Sequence, residues 1–217
     1  MTMNAATPMV FVVDDDDAVR RALVRLIRSA GYCVEGFGSA HEFLESRPPC
    51  TGAPACLILD VGLPDLNGLD LQRELNAANT SLPIIFITGH GDIAMTVSAM
   101  KAGATDFLAK PIGDTDLLRA IETALRNSSQ AVTSRIELDS IRGRLARLTP
   151  REREVLALLV EGRLNKQVAF ELGIAEKTIK VHRARVMEKM EAHSLVELAR
   201  ITDKVGIALS RSQPTAR

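Results

Sequence analysis

The chain has 217 residues, 46% of them hydrophobic, and no formal net charge at pH 7, a length that excludes a single ordinary domain and suits two. Residues 1–126 carry 10 Lys and Arg against 16 Asp and Glu, whereas residues 127–217 carry 17 against 11, which predicts one half that binds cations or basic partners and one that meets a polyanion such as nucleic acid. No apolar run approaches the roughly 18 residues of a membrane span, so we expect no membrane partner. Cys33, Cys50 and Cys56 are not spaced as metal ligands or as a disulfide framework, so we expect neither a zinc site nor disulfides, and a cytoplasmic location.

Short apolar runs alternate with amphipathic segments through the first half of the chain. Strands are predicted at 10–13, 33–37, 56–59, 84–88 and 106–109, and helices at 17–30, 40–46, 69–77, 93–102 and 115–126. This alternation predicts an α/β domain over residues 1–126, built on a five-stranded, doubly wound parallel sheet. The carboxyl ends of such strands form the edge at which ligands bind.

The second half has a helical pattern. Residues 127–143 predict a helical linker, residues 144–207 a small all-α domain of four helices, and residues 208–217 a disordered tail. Thr149, Pro150 and Glu152 form the signature of a capping box at a helix start. A short helix from Asn165, a turn at Gly173 and a longer helix over 176–190 have the pattern of a helix-turn-helix, and a fourth helix is predicted at 194–204.

Polar residues stand at the predicted strand ends of the first half, where a core has no need for them. They are Asp14, Asp15, Asp60, Thr88 and Lys110. In a parallel sheet these ends share one edge, so three carboxylates meet there and repel one another unless a cation is bound. The expected occupant is a hard divalent ion, Mg²⁺ above all. Asp16 and Asp17 are instead interpreted as solvated residues of a helix start, where the helix dipole favours them.

Four stretches of the first half, "VVDDDDAVRRAL", "LILDVGLPDLNGLDL", "IIFITGHGD" and "DFLAKPI", resemble the receiver domain of bacterial two-component response regulators. The resemblance implies that Asp60 is the phospho-acceptor and is phosphorylated by a sensor histidine kinase. It implies a Mg²⁺ site formed by Asp14, Asp15, Asp60 and the backbone carbonyl of Gly62. It further implies that Thr88 and Lys110 bind the phosphoryl oxygens and that Phe107 fills the space that Thr88 leaves.

The stretch "LTPREREVLALLVEGRLNKQVAFELGIAEKTIKVHRARVMEKM" resembles the LuxR-type DNA-binding domain, which with a receiver makes the NarL/FixJ class, here FixJ-like. The resemblance implies a recognition helix over 176–190. The side chains nearest the base edges would be Lys180, Val181 and Arg183. The phosphate contacts would be Lys177, Thr178, Arg185 and Lys189. His182 has no partner at ligand spacing and is interpreted as a packing or phosphate contact, and Ala175 stands where a Ser often caps this helix.

These resemblances imply a transcription factor that is phosphorylated on Asp60, forms a homodimer and binds a double-stranded operator of two-fold symmetry, with RNA polymerase as a candidate further partner. Its catalysis would be limited to its own phosphorylation and dephosphorylation, so it is not expected to be an enzyme. Two alternatives remain open. One is a metal-dependent phosphohydrolase that uses the same acidic edge, and the other is a receiver that serves as a constitutive dimerisation module without phosphorylation.

Overall fold

The computed structural model describes residues 7–46, 53–78, 80, 82–89 and 93–206. The chain divides into two compact units, Met1–Thr133 and Ser134–Arg217. Cys50 and the tail expected at 208–217 lie outside the described residues. Across the described ranges, no helix combines the length and the apolar character that crossing a membrane requires.

The first unit is the predicted α/β domain. Its strands are β1 Met9–Val13, β2 Cys33–Phe37, β3 Ala55–Asp60, β4 Ile84–Thr88 and β5 Asp106–Ala109. The helices that follow them are α1 Asp17–Ser29, α2 Ala40–Ser46, α3 Gly68–Ala77, α4 Ile93–Lys101 and α5 Asp114–Ala146. All the strand pairs are parallel, and the order in the sheet is β2-β1-β3-β4-β5. The fold class predicted from the sequence is confirmed.

The central strands are buried on both faces, as their continuous apolar sequences require. Every residue of β3 and β4 is buried. Successive side chains point to opposite faces, so Phe11 packs in one core cluster and Val10 and Val12 in the other. Because β1, β3 and β4 are parallel neighbours, their carboxyl ends lie at one edge of the sheet.

The helix α5 is longer than predicted and runs through Ala146, over 33 residues. Between 114 and 146 the sequence has no Pro, and Gly143 is its one Gly, so nothing in the backbone interrupts the helix. Ser128 in this extension is buried, and its Oγ accepts a hydrogen bond of 3.0 Å from the N–H of Ala55 at the start of β3. The start of the predicted linker at 127–143 is therefore part of a helix that packs in the first unit.

The second unit contains, in its described part, α6 Pro150–Val160, α7 Asn165–Leu172, α8 Glu176–Met190 and α9 Leu195–Lys204. These helices share a core that includes Val155, Val168, Ile179 and Leu198. The predicted capping box is present, because the Thr149 side chain accepts from the Glu152 N–H and the Glu152 carboxylate accepts from the Thr149 N–H. Gly173 ends α7 with φ 64°, a left-handed conformation that glycine adopts without strain and that turns the chain directly into α8.

Candidate functional site

Three carboxylates meet at one edge of the sheet. Asp14 follows β1 directly and Asp60 is the last residue of β3, and these two strands are neighbours. Asp14, Asp15 and Asp60 each present a carboxylate oxygen within 4.8 Å of those of the other two. Asp14 and Asp60 are buried, whereas Asp15 is exposed. The group therefore has a buried floor and one carboxylate open to solvent.

Each polar group of Asp14 has a partner. Its N–H donates to the carbonyl of Phe37 (3.2 Å), and its own carbonyl accepts from Nη1 of Arg20 (2.7 Å). In the side chain, Oδ1 accepts from the N–H of Asp16 (2.9 Å) and Oδ2 accepts from Nζ of Lys110 (2.8 Å). The position of this carboxylate is thus fixed by β2, by α1 and by the loop after β5.

Lys110 links the two buried carboxylates. Its Nζ donates to Oδ2 of Asp14 (2.8 Å) and to Oδ2 of Asp60 (2.6 Å), while its N–H donates to the carbonyl of Thr88 (2.7 Å). Burial raises the pKa of Asp14 above its ordinary value, although the hydrogen bond from Lys110 opposes this. Burial lowers the pKa of Lys110, but the bonds to the two carboxylates outweigh it and the net pKa is raised. The lysine is therefore a cation beside Asp60.

The rest of the edge surrounds Asp60. Its Oδ1 accepts a hydrogen bond from the N–H of Gly62 (3.1 Å). Thr88, at the end of β4, is buried one residue beyond Ile87, the partner of Asp60 in the sheet. Phe107 in β5 is half-buried, with its ring centroid 6.1 Å from that of Phe86. The structure thus gathers at one edge the residues predicted for metal and phosphoryl binding.

The donor set fits a hard divalent cation. Carboxylate oxygens are the ligands that Mg²⁺ prefers, and Mg²⁺ usually retains several of its waters. Asp15 lies on the solvent side of the group, where such waters have access. The site thus fits Mg²⁺ better than zinc, for which the group contains neither sulfur nor imidazole.

The two other aspartates of the "DDDD" run have different partners. Asp16 is the N-cap of α1, and its Oδ1 accepts from the N–H groups of Ala18 (2.8 Å) and Val19 (3.2 Å). The hydrogen bond from Val19 is the main cause of the lowered pKa of Asp16. Asp17 pairs with Arg20 (2.6 Å) and Arg21 (2.7 Å). The helix-start interpretation therefore describes both residues, since Asp17 is the exposed first residue of α1 and in addition pairs with two arginines.

The sequence pattern alone does not reveal the role of Gly68. A Cβ at this first residue of α3 would lie 2.6 Å from the backbone carbonyl oxygen of Asp60 and 3.1 Å from Cα of Val61. Only glycine lets α3 begin so close to the backbone of Asp60. The available signal was a glycine directly after the helix cap Asn67, where a stronger helix former is usually found.

The helix α8 presents most of the expected DNA-contact residues outward. Its buried face consists of Ile179, Val186 and Met190. The exposed residues of the predicted set are Lys177, Thr178, Lys180, Val181 and Arg185. Arg183 is half-buried, and its Nη1 donates to Oδ1 of Asn165 in α7 (3.2 Å). Its guanidinium is thus oriented by the preceding helix.

Lys189, which the sequence predicts as a phosphate contact, forms an ion pair within the second unit. Its Nζ lies 2.6 Å from Oε2 of Glu152, which is 2% exposed. The hydrogen bond from Lys189 is the main reason that the pKa of Glu152 falls from 4.5 to about 2. The ammonium of Lys189 is therefore held at the start of α6, where it stabilises a buried carboxylate.

The two ends of α8 are held differently. At its start, Ala175 provides no side-chain hydrogen bond, as the sequence implied. At its end, Nη1 of Arg144 donates to the carbonyl of Met190 and Nη2 of Arg147 to that of Lys189, both at 3.2 Å. Both arginines also pair with the carboxylate of Glu191. Arginine side chains thus hold the C-terminus of α8, whereas no side chain caps its N-terminus.

Comparison with known proteins identifies relatives over nearly the whole chain. Residues 10–122 match the model of the response regulator receiver domain, and residues 146–202 match that of the bacterial regulatory proteins of the luxR family. Nodulation protein W of Bradyrhizobium diazoefficiens is 47% identical, over 99% of this chain and 93% of its own. The transcriptional regulatory protein FixJ of Rhizobium meliloti is 42% identical, over 88% of this chain and 93% of its own.

Solved structures are similar in the same way. The low-resolution structure of the response regulator StyR covers 92% of this chain and 100% of its own, with 48% identity and a TM-score of 0.83. Full-length FixJ from B. japonicum covers 94% of this chain and 98% of its own, with 41% identity and a TM-score of 0.56. The similarity therefore extends across both units.

Proposed function

We propose that Asp60 accepts a phosphoryl group from a sensor histidine kinase, because the chain belongs to the two-component response regulators that join a receiver domain to a LuxR-type DNA-binding domain. The phosphorylated chain then dimerises and binds promoter DNA in the cytoplasm to regulate transcription. One observation carries this proposal: Lys110 bonds both Asp14 and Asp60, whose carboxylates meet that of Asp15 within 4.8 Å. With Mg²⁺ bound, the cation and the ammonium of Lys110 would together neutralise the charge of a transferred phosphoryl group.

The transfer breaks the phosphorus–nitrogen bond of a phosphohistidine and forms a phosphorus–oxygen bond to Asp60, while the histidine keeps the electron pair and leaves. Phosphoryl transfer mainly requires positioning and charge neutralisation. Lys110 provides a fixed cation beside the attacking carboxylate. Mg²⁺ held by Asp14, Asp15, Asp60 and the carbonyl of Gly62 would neutralise the phosphoryl oxygens further. The chain therefore acts on itself alone, without turnover of a separate substrate.

The phosphoryl oxygens then attract the hydroxyl of Thr88, at the end of β4, and Phe107 follows into the space released. Ring contact with Phe86 supports this step, because Phe107 is half-buried and already points toward the core. The change alters the face formed by residues 93–110. Three large apolar residues on α4 are exposed there: Ile93, Val97 and Met100. An exposed apolar stripe of this kind supports dimerisation through α4.

In the second unit we propose that α8 enters the major groove. Lys180, Val181 and Arg183 contact the base edges, while Lys177, Thr178 and Arg185 contact phosphates. The ion pair with Glu152 leaves Lys189 out of this set. Val196 on α9 is 65% exposed, which supports pairing of two copies on an operator with half-sites about one helical turn apart.

Mass spectrometry and size-exclusion chromatography of the full chain with Mg²⁺, with and without acetyl phosphate, test this proposal. We expect a phosphate-sized adduct and a dimer, both lost in Asp60→Asn and retained in the control Asp70→Asn, whose carboxylate is exposed on α3. No adduct and no dimer would leave a DNA-binding protein whose receiver is a scaffold. Hydrolysis of phosphomonoesters over many turnovers, undiminished in Asp60→Asn, would instead identify a phosphohydrolase.

A further inference from the structure

Arg20 on α1 contacts the acidic edge through the backbone. Its Nη1 donates to the carbonyl oxygen of Asp14 at 2.7 Å, and its Nη2 donates to Oδ1 of Asp17 at 2.6 Å. The side chain is only 20% exposed, although arginine is usually a surface residue. Both contacts use the planar fork of the guanidinium, whose fixed geometry orients both acceptors.

The carbonyl that Arg20 holds belongs to the peptide joining Asp14 to Asp15. Fixing that peptide fixes the position of the Cα of Asp15, because a peptide unit is planar and includes the Cα of the next residue. Within the described part of the chain, the carboxylate of Asp15 accepts no hydrogen bond. The direction of Asp15 therefore depends on its backbone, and that backbone is held by Arg20.

The first unit has room for this arginine. A Cβ at Gly36 in β2 would lie 3.3 Å from Cγ of Arg20, and one at Gly38 would lie 3.7 Å from Nη1. The arginine thus crosses the end of β2 where two glycines leave space beside it. Asp17 completes the arrangement, because it holds the second nitrogen of the guanidinium and offsets its charge.

We propose that Arg20 is a positioning residue of the metal site, which holds the Asp14–Asp15 peptide so that both carboxylates face Asp60 before a cation binds. The inference rests on the proposed function, since it presupposes that these carboxylates bind Mg²⁺. The loss of Arg20 as an anchor and the loss of its charge should change the affinity for Mg²⁺ in opposite directions. Removal of a positive charge near a cation site strengthens cation binding, whereas loss of the peptide's anchor weakens it.

Calorimetric titration of the full chain with Mg²⁺ alone separates these two effects. Arg20→Ala is expected to raise the dissociation constant for Mg²⁺ about tenfold, as loss of groups that orient metal ligands commonly does. Arg21→Ala is the matched control, because Arg21 pairs with the same Asp17 (2.7 Å) from an exposed position and has no bond to Asp14. The control removes the same charge and is expected not to weaken binding. Arg20→Lys, with one nitrogen for two acceptors, is expected to fall between Arg20→Ala and the wild type.

Phosphorylation by acetyl phosphate provides a second measurement. In Arg20→Ala the half-saturating Mg²⁺ concentration should rise about tenfold, while the rate at saturating Mg²⁺ approaches that of the wild type. A purely structural role would instead lower the rate at every Mg²⁺ concentration. If Arg20→Ala loses the circular dichroism of the wild type, Arg20→Lys is used for the same comparison.

The outcomes distinguish this inference from the proposed function. A wild-type chain that binds Mg²⁺ and forms the adduct, with Arg20 variants that bind Mg²⁺ as tightly as Arg21→Ala, would overturn the role of Arg20 alone. A wild-type chain that binds no Mg²⁺ and forms no adduct would overturn the proposed function, and the positioning role with it.

Discussion

The ammonium of Lys189 at the end of α8 lies 2.6 Å from Oε2 of Glu152 at the start of α6. Glu152 also accepts a hydrogen bond from the N–H of Thr149. The same carboxylate therefore caps α6 and links it to α8. We expect Lys189→Met to lower the free energy of unfolding of the helical unit by about 2 kcal/mol, because a buried charge loses its partner. Denaturant unfolding of the full chain, followed by helical circular dichroism, measures this loss.

Lys177→Met is the control for this prediction, because Lys177 is exposed at the other end of the same helix. It should leave stability unchanged. Weaker DNA binding by Lys189→Met at wild-type stability would restore Lys189 to the phosphate contacts and contradict the structural role.

Acid should remove the contribution of Glu152. Its pKa in the folded chain is lowered from 4.5 to about 2, so its charged form stabilises the fold. That stability is complete above pH 4.5 and is lost as the pH falls toward about 2. In melting curves over this range, the stability difference between the wild type and Glu152→Gln should shrink as the pH decreases. A difference that is independent of pH would show that the charge of Glu152 contributes nothing.

Lys110→Ala should separate metal binding from signalling. Without the ammonium, the carboxylates of Asp14 and Asp60 repel each other more strongly. In EDTA the variant should therefore have a lower melting temperature than the wild type, and added Mg²⁺ should raise its melting temperature by more. It should still bind the metal, but phosphorylation should no longer drive dimerisation. Thermal melts and size-exclusion chromatography check both parts, with Arg73→Ala, at an exposed position on α3, as the control. Wild-type dimerisation of phosphorylated Lys110→Ala would refute the role of this lysine.

Gly68→Ala should disturb the backbone of the phospho-acceptor. The added methyl group would lie 2.6 Å from the carbonyl oxygen of Asp60, and overpacking of this kind costs about 2 kcal/mol. We expect lower stability of the receiver and slower phosphorylation by acetyl phosphate. Gly143→Ala in α5 has open space around its Cβ and should be neutral or slightly stabilising. Equal behaviour of the two variants would mean that α3 can move away from Asp60 without cost.

DNA binding should divide the exposed residues of α8 into two groups. Lys180→Ala is expected to weaken binding to a selected operator more than binding to random DNA, because it removes a contact to a base edge. Arg185→Ala should weaken both and reduce the slope of the salt dependence by about 1. Fluorescence anisotropy over a range of salt concentrations measures both quantities. Equal losses on every sequence for both variants would remove the distinction between base and phosphate contacts.

Much of the receiver could be predicted because its signals are local. Apolar runs end in polar residues at Asp14, Asp60 and Thr88, and a parallel sheet necessarily brings such strand ends to one edge. The pairing of Lys110 with both carboxylates depends on the sheet order β2-β1-β3-β4-β5, which joins residues far apart in the chain. No local pattern encodes that order.

The features that could not be predicted depend on what lies opposite a side chain. Lys189 adjoins the buried Met190, and only the packing of α6 on α8 brings Glu152 to it. Arg20 is one of several arginines on α1, and only the position of the Asp14 carbonyl beside it distinguishes it from the others. Hydrophobic periodicity identifies buried faces, but it does not identify polar side chains that cross the boundary of such a face.

The hydrogen bond from Ala55 to Ser128 affects where the receiver ends as an autonomous folding unit. Ala55 is buried at the start of β3, and its N–H has the Oγ of Ser128 as acceptor. A fragment cut after Arg126 would lack that acceptor and leave a buried donor unpaired, at a cost of about 1–3 kcal/mol. The first turn after Arg126 therefore contributes to the stability of the first unit, which extends to Thr133.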